Sequence, residues 1–181
     1  MDQQQTLTTE RRGSRTVGSP THCVFRHGTS WLAIPATAVR EVMPRPEMVS
    51  VPGTTSTFVG LCHVRSEFVP VLNLASVLPH GDRSDEQIML VLEDTDGPWA
   101  LLVDEVASLQ PLETSDAPES DALKSTSAVI GWATYGESVI QVLDQSRIRQ
   151  FAEQELAVRW QSVSPVQHDV VSVSPSPTDQ A

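Results

Sequence analysis

The chain has 181 residues and a formal charge of −11, from 23 acids against 12 bases. That balance excludes general nucleic-acid binding, which needs a basic face to neutralise phosphates, and attraction to an anionic membrane surface. Apolar residues make up 39%, below the usual globular share, so part of the chain is not expected to pack. No apolar run approaches the roughly 20 residues of a membrane-spanning helix.

Residues 1–20 are almost wholly polar, without the apolar core of a signal peptide, and are expected to form a disordered tail. "CVFRH" and "WLAIP" then read as two short strands joined at "GTS". Pro35 suits the first turn of a short helical segment in "PATAVRE". The strands "TFVGLCHV", "FVPVLNL", "QIMLVLED" and "WALLV" follow, each bounded by turn residues. An acidic run, "LETSDAPESDALK", reads as a solvated loop before the strands "AVIGWAT" and "SVIQVL". "DQSRIRQFAEQELAVRW" carries the one strong helical period, with Ile148, Phe151, Ala152, Leu156 and Trp160 on a stripe and Asp144 as cap. Residues 161–181, rich in Ser and Pro, are expected to be a second disordered tail. Residues 21–160 therefore form the folded unit, all-β with a C-terminal helix.

The two halves of that unit resemble each other. "VGLCHVRSEFVPVLNLASV" from Val59 aligns without a gap on "IGWATYGESVIQVLDQSRI" from Ile130, 71 positions later. Gly60 meets Gly131, Leu72 meets Leu143 and Asn73 meets Asp144. "SWLAI" at 30 resembles "PWALL" at 98, and Val42 is aligned with Val106. One repetition of this length is too long for a solenoid unit. It fits a duplicated small barrel, each half supplying about five strands whose closure removes exposed edges.

Cys23 and Cys62 are too few for a disulfide scaffold and read as reduced and buried, as in a cytoplasmic protein. The pairs "HC" at 22–23 and "CH" at 62–63 invite a zinc site. Neighbouring strand residues point to opposite faces, however, so each pair reads as a buried Cys beside an outward His. Asp104 and Glu105 diverge for the same reason, and no nucleophile motif, phosphate-binding glycine loop or H-E-x-x-H accompanies them. The sequence points to no enzyme, metal or cofactor. Trp31, Trp99 and Trp132 are expected to be mostly core.

Arg65, Ser66 and Glu67 interrupt two apolar strands at their seam. On composition alone, Arg65 is a solvated turn residue or a partner contact; Val39 and Glu41 are a core valine and a solvated glutamate. Glycine inside a strand, as at Gly60, often marks a bulge or a close backbone approach.

"WLAIPATAVREVM", "VGLCHVRSEFVPVLNLASVL", "WALLVDEV" and "VIGWATYGESVIQVLD", in that order, are similar to the CheW family of chemotaxis coupling proteins. The resemblance covers about residues 22–158. It implies two small β-barrels around a shared apolar core and no catalytic activity. It implies two partners, the regulatory domain of a CheA-type histidine kinase and the cytoplasmic tip of a methyl-accepting chemoreceptor, with neither nucleic acid nor membrane insertion. It assigns Val39, Glu41 and Arg65 to a receptor groove and Met48 and Gly60 to a kinase-facing surface. A Glu41–Arg65 ion pair is expected within that groove. The usual Asn-Leu-Arg-Gly motif reads His63-Val64-Arg65-Ser66 here, and the usual Asp after the second strand is Asn73. An adaptor of a non-motility array, driving pilus movement, development or cyclic-dinucleotide output, and a small-ligand-binding β-barrel stay open as alternatives.

Overall fold

A computed structural model describes residues 19–78, 85–116 and 128–162. The chain runs β1 (Thr21–His27), β2 (Ser30–Pro35), β3 (Val39–Pro44), β4 (Phe58–Val64), β5 (Glu67–Leu72), β6 (Ile88–Leu92), β7 (Trp99–Val103), β8 (Glu105–Pro111), β9 (Ser115–Asp116), β10 (Val129–Tyr135), β11 (Ser138–Leu143) and α1 (Gln145–Ser162). The tails expected at 1–20 and 161–181 lie outside the described residues, apart from 19–20 and 161–162. The helical turn expected after Pro35 is a three-residue 3-10 turn, Ala36–Ala38, and "VREVMP" beyond it is a strand. Strands β3, β8 and β9 were not evident from the sequence. The first two alternate half-buried and exposed positions, and their charged residues mask that alternation. Of the expected acidic loop, Leu112 is core and Ser115–Asp116 is strand; residues 117–124 lie outside the described residues.

Two sheets form, ordered β8-β1-β2-β11-β10-β9 and β3-β6-β7-β5-β4. Each therefore mixes the two sequence halves. Strands β1 and β2 pair with β8 and β11, while β6 and β7 pair with β3 and β5. The expectation that each half builds its own lobe gives way to two lobes that exchange strands.

The registers repeat faithfully. Gly60 lies opposite Val71 after a bulge, and Gly131 opposite Val142 after the same bulge. The parallel contacts Val142–Ala33 and Val71–Ala100 make Ala33, not Leu32, the counterpart of Ala100. The alignment of Trp31 on Trp99 is thus one residue out of register, and a one-residue slip turns a side chain to the other face. Trp31 packs inside its lobe, 5.3 Å from the Tyr135 ring, whereas Trp99 lies in the core between the sheets. Likewise Val39, opposite Leu92, answers to Val106, opposite Phe25; Val42 does not.

Three apolar clusters result. Phe25, Leu32 and Ile34 meet Leu90, Leu92, Trp99 and Leu101 between the sheets. Cys62, Val64, Val69, Val71, Met89 and Leu102 fill one lobe, and Val24, Ala33, Ile140 and Val142 fill the other. Strands β6 and β7 separate two of these clusters, so both faces are covered and their sequences read as unbroken apolar runs. Cys23 and Cys62 are free thiols in different clusters, and burial pushes the Cys23 thiol up to about 11. His22 is buried too, with Nδ1 2.8 Å from the Pro20 carbonyl, so only His63 faces outward as expected.

Among the described residues, no ladder joins β3 to β4. Instead Val49, five residues past β3, exchanges two backbone hydrogen bonds with Leu61, of 2.8 and 2.9 Å. In the other sheet only Leu112–Thr114 separates β8 from β9 at the far edge. The connections that follow β3 and β8 thus bring the edges of each sheet near each other, and among the described residues no continuous ladder closes either lobe into a barrel.

The Asp144 carboxylate caps α1 by accepting from the Ser146 and Arg147 amides at 2.9 and 3.2 Å. Asn73 does the same for the turn Leu74–Ser76, accepting from the Ala75 amide at 3.0 Å. Only Ile148 and Ala152 of the helical stripe are fully buried; Trp160 is 63% exposed, and so α1 projects beyond the sheets. Trp132 is 38% exposed, not core.

Asp104 ends β7 as a structural carboxylate. It accepts from the Gly28 amide at 2.8 Å and the Glu86 amide at 2.9 Å, and pairs with Arg26 at 3.3 Å. Beside it the buried His27 ring has no hydrogen-bond partner. Burial lowers its pKa below 6.5, and the Asp104 and Glu86 carboxylates oppose that only in part. The neutral ring is therefore the folded form. Its contribution is complete above pH 6.5, the unfolded value, and is lost as pH falls through the lowered one. His27→Leu is expected to flatten the acid side of the stability profile below about pH 6.5. Urea denaturation of both proteins at stepped pH checks this, and parallel profiles would refute it.

Candidate partner-binding site on the β4–β5 hairpin

The hairpin between β4 and β5 closes at the Val64–Glu67 pair, leaving Arg65 and Ser66 as a two-residue turn. Two other hairpins have the same length, closed at His27–Ser30 and Tyr135–Ser138. Their first turn residues are Gly28 (φ 60°) and Gly136 (φ 58°). Arg65 occupies that position with φ 56°. An L-residue there costs about 1–2 kcal/mol relative to glycine's freedom. Ser66 is not left-handed, so the serine at the usual glycine position brings no such strain.

Across from this turn, β3 carries a bulge. Val39 faces Leu92 and Glu41 faces Val91, with Arg40 the extra residue. A bulge re-aims side chains, and here consecutive residues reach the same hairpin. Glu41 Oε2 accepts from Arg65 Nη2 at 2.8 Å, the pair expected from the sequence. Arg40 Nη1 lies 2.7 Å from Glu67 Oε2 and 3.2 Å from Glu93 Oε2. The hydrogen bond to Glu67 raises the Arg40 pKa most; desolvation opposes it, and the charges of Glu67 and Glu93 add smaller upward effects. Two crossed ion pairs thus span the gap between β3 and the hairpin tip. The Arg65 side chain remains 74% exposed while Glu41 is 22% exposed, so the pair orients a guanidinium that still faces outward.

Of the other site residues, Val39 packs half-buried against the core between the sheets. Met48 packs against the cluster inside its lobe. Gly60 is buried where β4 meets Val49: a Cβ on it would lie 2.5 Å from the Val49 carbonyl oxygen. The structure joins Glu41 to Arg65, and sets Gly60 beside the segment that leaves Met48. Sequence reasoning missed Arg40 and Phe68. The first was legible as the complement of Glu67, since "RE" in β3 and "RSE" in the turn carry matching charges. Phe68 is 73% exposed, its ring edge-on to His63 at 5.4 Å.

The other lobe provides an internal comparison. By register, the counterparts of Arg40, Glu41, Arg65 and Glu67 are Ala107, Ser108, Gly136 and Ser138. These four positions are all charged in one hairpin mouth and all uncharged in its twin, whose turn carries Glu137 where the first has Ser66, yet both have the same topology. The charges are not what the fold requires.

Among the described residues no group of three or more His, Cys, Asp or Glu could hold a metal ion. No described helix is long and apolar enough to cross a membrane. The family model of the CheW-like domain matches residues 21–153, well over half of the chain. The chain belongs to the CheW family. Members are scaffold proteins of chemotaxis signalling. Among solved structures, the scaffolding protein TtCheW from Thermoanaerobacter tengcongensis has the same fold, at 20% identity and a TM-score of 0.61, over 70% of this chain and 85% of that one. No curated protein matches. In this CheW-like chain, Asn73 stands where the other half has Asp144, and each supplies the acceptor oxygen that caps the following turn or helix.

Proposed function

We propose that the chain is a non-enzymatic adaptor that couples chemoreceptor tips to a CheA-type histidine kinase. Arg65, Glu41 and Val39 form the receptor side; Met48 and Gly60 border the kinase side. The observation that carries this reading is the charge asymmetry between the lobes. A duplicated fold keeps an outward, strained arginine and its carboxylate partner in one copy, and has Gly136 and Ser108 in the other. Arginine suits such a contact, since its planar fork makes several directed bonds and its stem packs on apolar surface. Holding both partners at a fixed spacing raises their effective concentration, and lets a receptor shift bias the kinase between its states.

The test is a pull-down of the full chain with the regulatory domain of the kinase and the helical tips of receptors encoded in the same genome. The adaptor reading expects both to be retained together. Retention of neither removes it.

A further inference from the structure

We propose that Arg40 is a positioning residue for Arg65, fixing the hairpin tip so that the exposed guanidinium is presented in one place. The partner-binding part of this inference rests on the adaptor reading above. Arg40 sits at the bulge of β3 and reaches two carboxylates on different elements, Glu67 at the start of β5 and Glu93 just after β6. It is therefore tied to the end of β6 through Glu93 and to the hairpin through Glu67. Glu67 is the residue that closes the turn, opposite Val64.

Arg65 needs such a clamp because its backbone is held where glycine is preferred. A non-glycine residue in that region persists when its surroundings over-determine it. The twin hairpin supports the link. Where the turn has Gly136 (φ 58°), the positions of Arg40 and Glu67 are Ala107 and Ser138, and no such ion pair can form. The clamp and the strained arginine occur together, and are absent together. Glu41 alone orients the guanidinium, at 2.8 Å, but does not hold the backbone beneath it. Arg40 does, by fixing the residue two positions on.

The experiment has two arms, with Arg40→Met, which keeps the stem, and Glu67→Gln, which spares the Arg40–Glu93 bond. In the first, NMR relaxation of the Arg65 Nε–H group is measured on the isolated chain; the inference expects it to become markedly more mobile in both variants. In the second, receptor-tip affinity is measured with and without Arg65→Ala. Arg40→Met is expected to weaken binding roughly tenfold when Arg65 is present and to add nothing when it is absent. Binding of the kinase regulatory domain is expected to be unchanged, which excludes global unfolding as the cause. An equal penalty in both backgrounds would show that Arg40 touches the partner itself and overturn the positioning role. So would an Arg65 group that stays equally ordered. Should wild-type protein bind no tip, the adaptor reading fails while the first arm still decides this one.

Discussion

Replacing Arg65 with glycine is expected to cut receptor-tip binding by at least tenfold while leaving the fold within about 1 kcal/mol of wild type. Two effects on stability oppose each other. Loss of the exposed pair with Glu41 removes roughly 0–1 kcal/mol. Relief of the left-handed arginine returns an amount of similar size, reduced by the greater entropy that glycine loses on folding. Gly28 and Gly136 show that this turn geometry accepts glycine. Binding has no such offset, because the guanidinium is the outward group of the mouth. Thermal denaturation and titration calorimetry on one preparation check both halves. A variant that melts far below wild type would mean that Arg65 holds the hairpin shut. One that binds normally would remove it from the interface.

Gly60→Ala is expected to have the largest effect on stability, about 2–3 kcal/mol or more. The added Cβ would meet the Val49 carbonyl oxygen at 2.5 Å and its carbon at 3.1 Å, both backbone atoms that no rotamer change can move aside. The backbone at Gly60 has φ 157°, which adds strain. Relief would require Val49 to retreat, breaking both of its hydrogen bonds to Leu61 and opening the lobe beside β4. Loss of kinase binding in this variant would then follow from an altered edge and not from a missing contact. Urea denaturation gives the stability change, and exchange of the Leu61 and Val49 amides locates it. A Gly60→Ala protein of wild-type stability would contradict the close approach.

The all-β class, the two lobes and the C-terminal helix were legible in the sequence because alternation, turn residues and the 71-residue repeat agree. The exchange of strands was not. It depends on whether β3 and β8 pair forward or backward, and "VREVMP" and "EVASLQP" carry no signal for that choice. The one-residue slip of Trp31 against Trp99 was hidden for a related reason. Both β2 and β7 are apolar on both sides of the pleat in their centres, so side-chain type does not declare which face is which. At the candidate site, the Glu41–Arg65 pair could be anticipated, but the left-handed backbone of Arg65 and the reach of Arg40 could not. These follow from a tight turn and a bulge in register, which are tertiary facts.

The exchange also says something about how such a chain could have arisen. A lobe made of two strands from one half and the rest from the other is the arrangement that a domain-swapped homodimer of the half would have. A separate half would own no complete lobe, and would be folded only as far as its concentration drove dimerisation. Joining two halves in one chain removes that dependence on concentration. It also frees the two copies to diverge, so that one hairpin can carry a costly arginine while its twin keeps glycine.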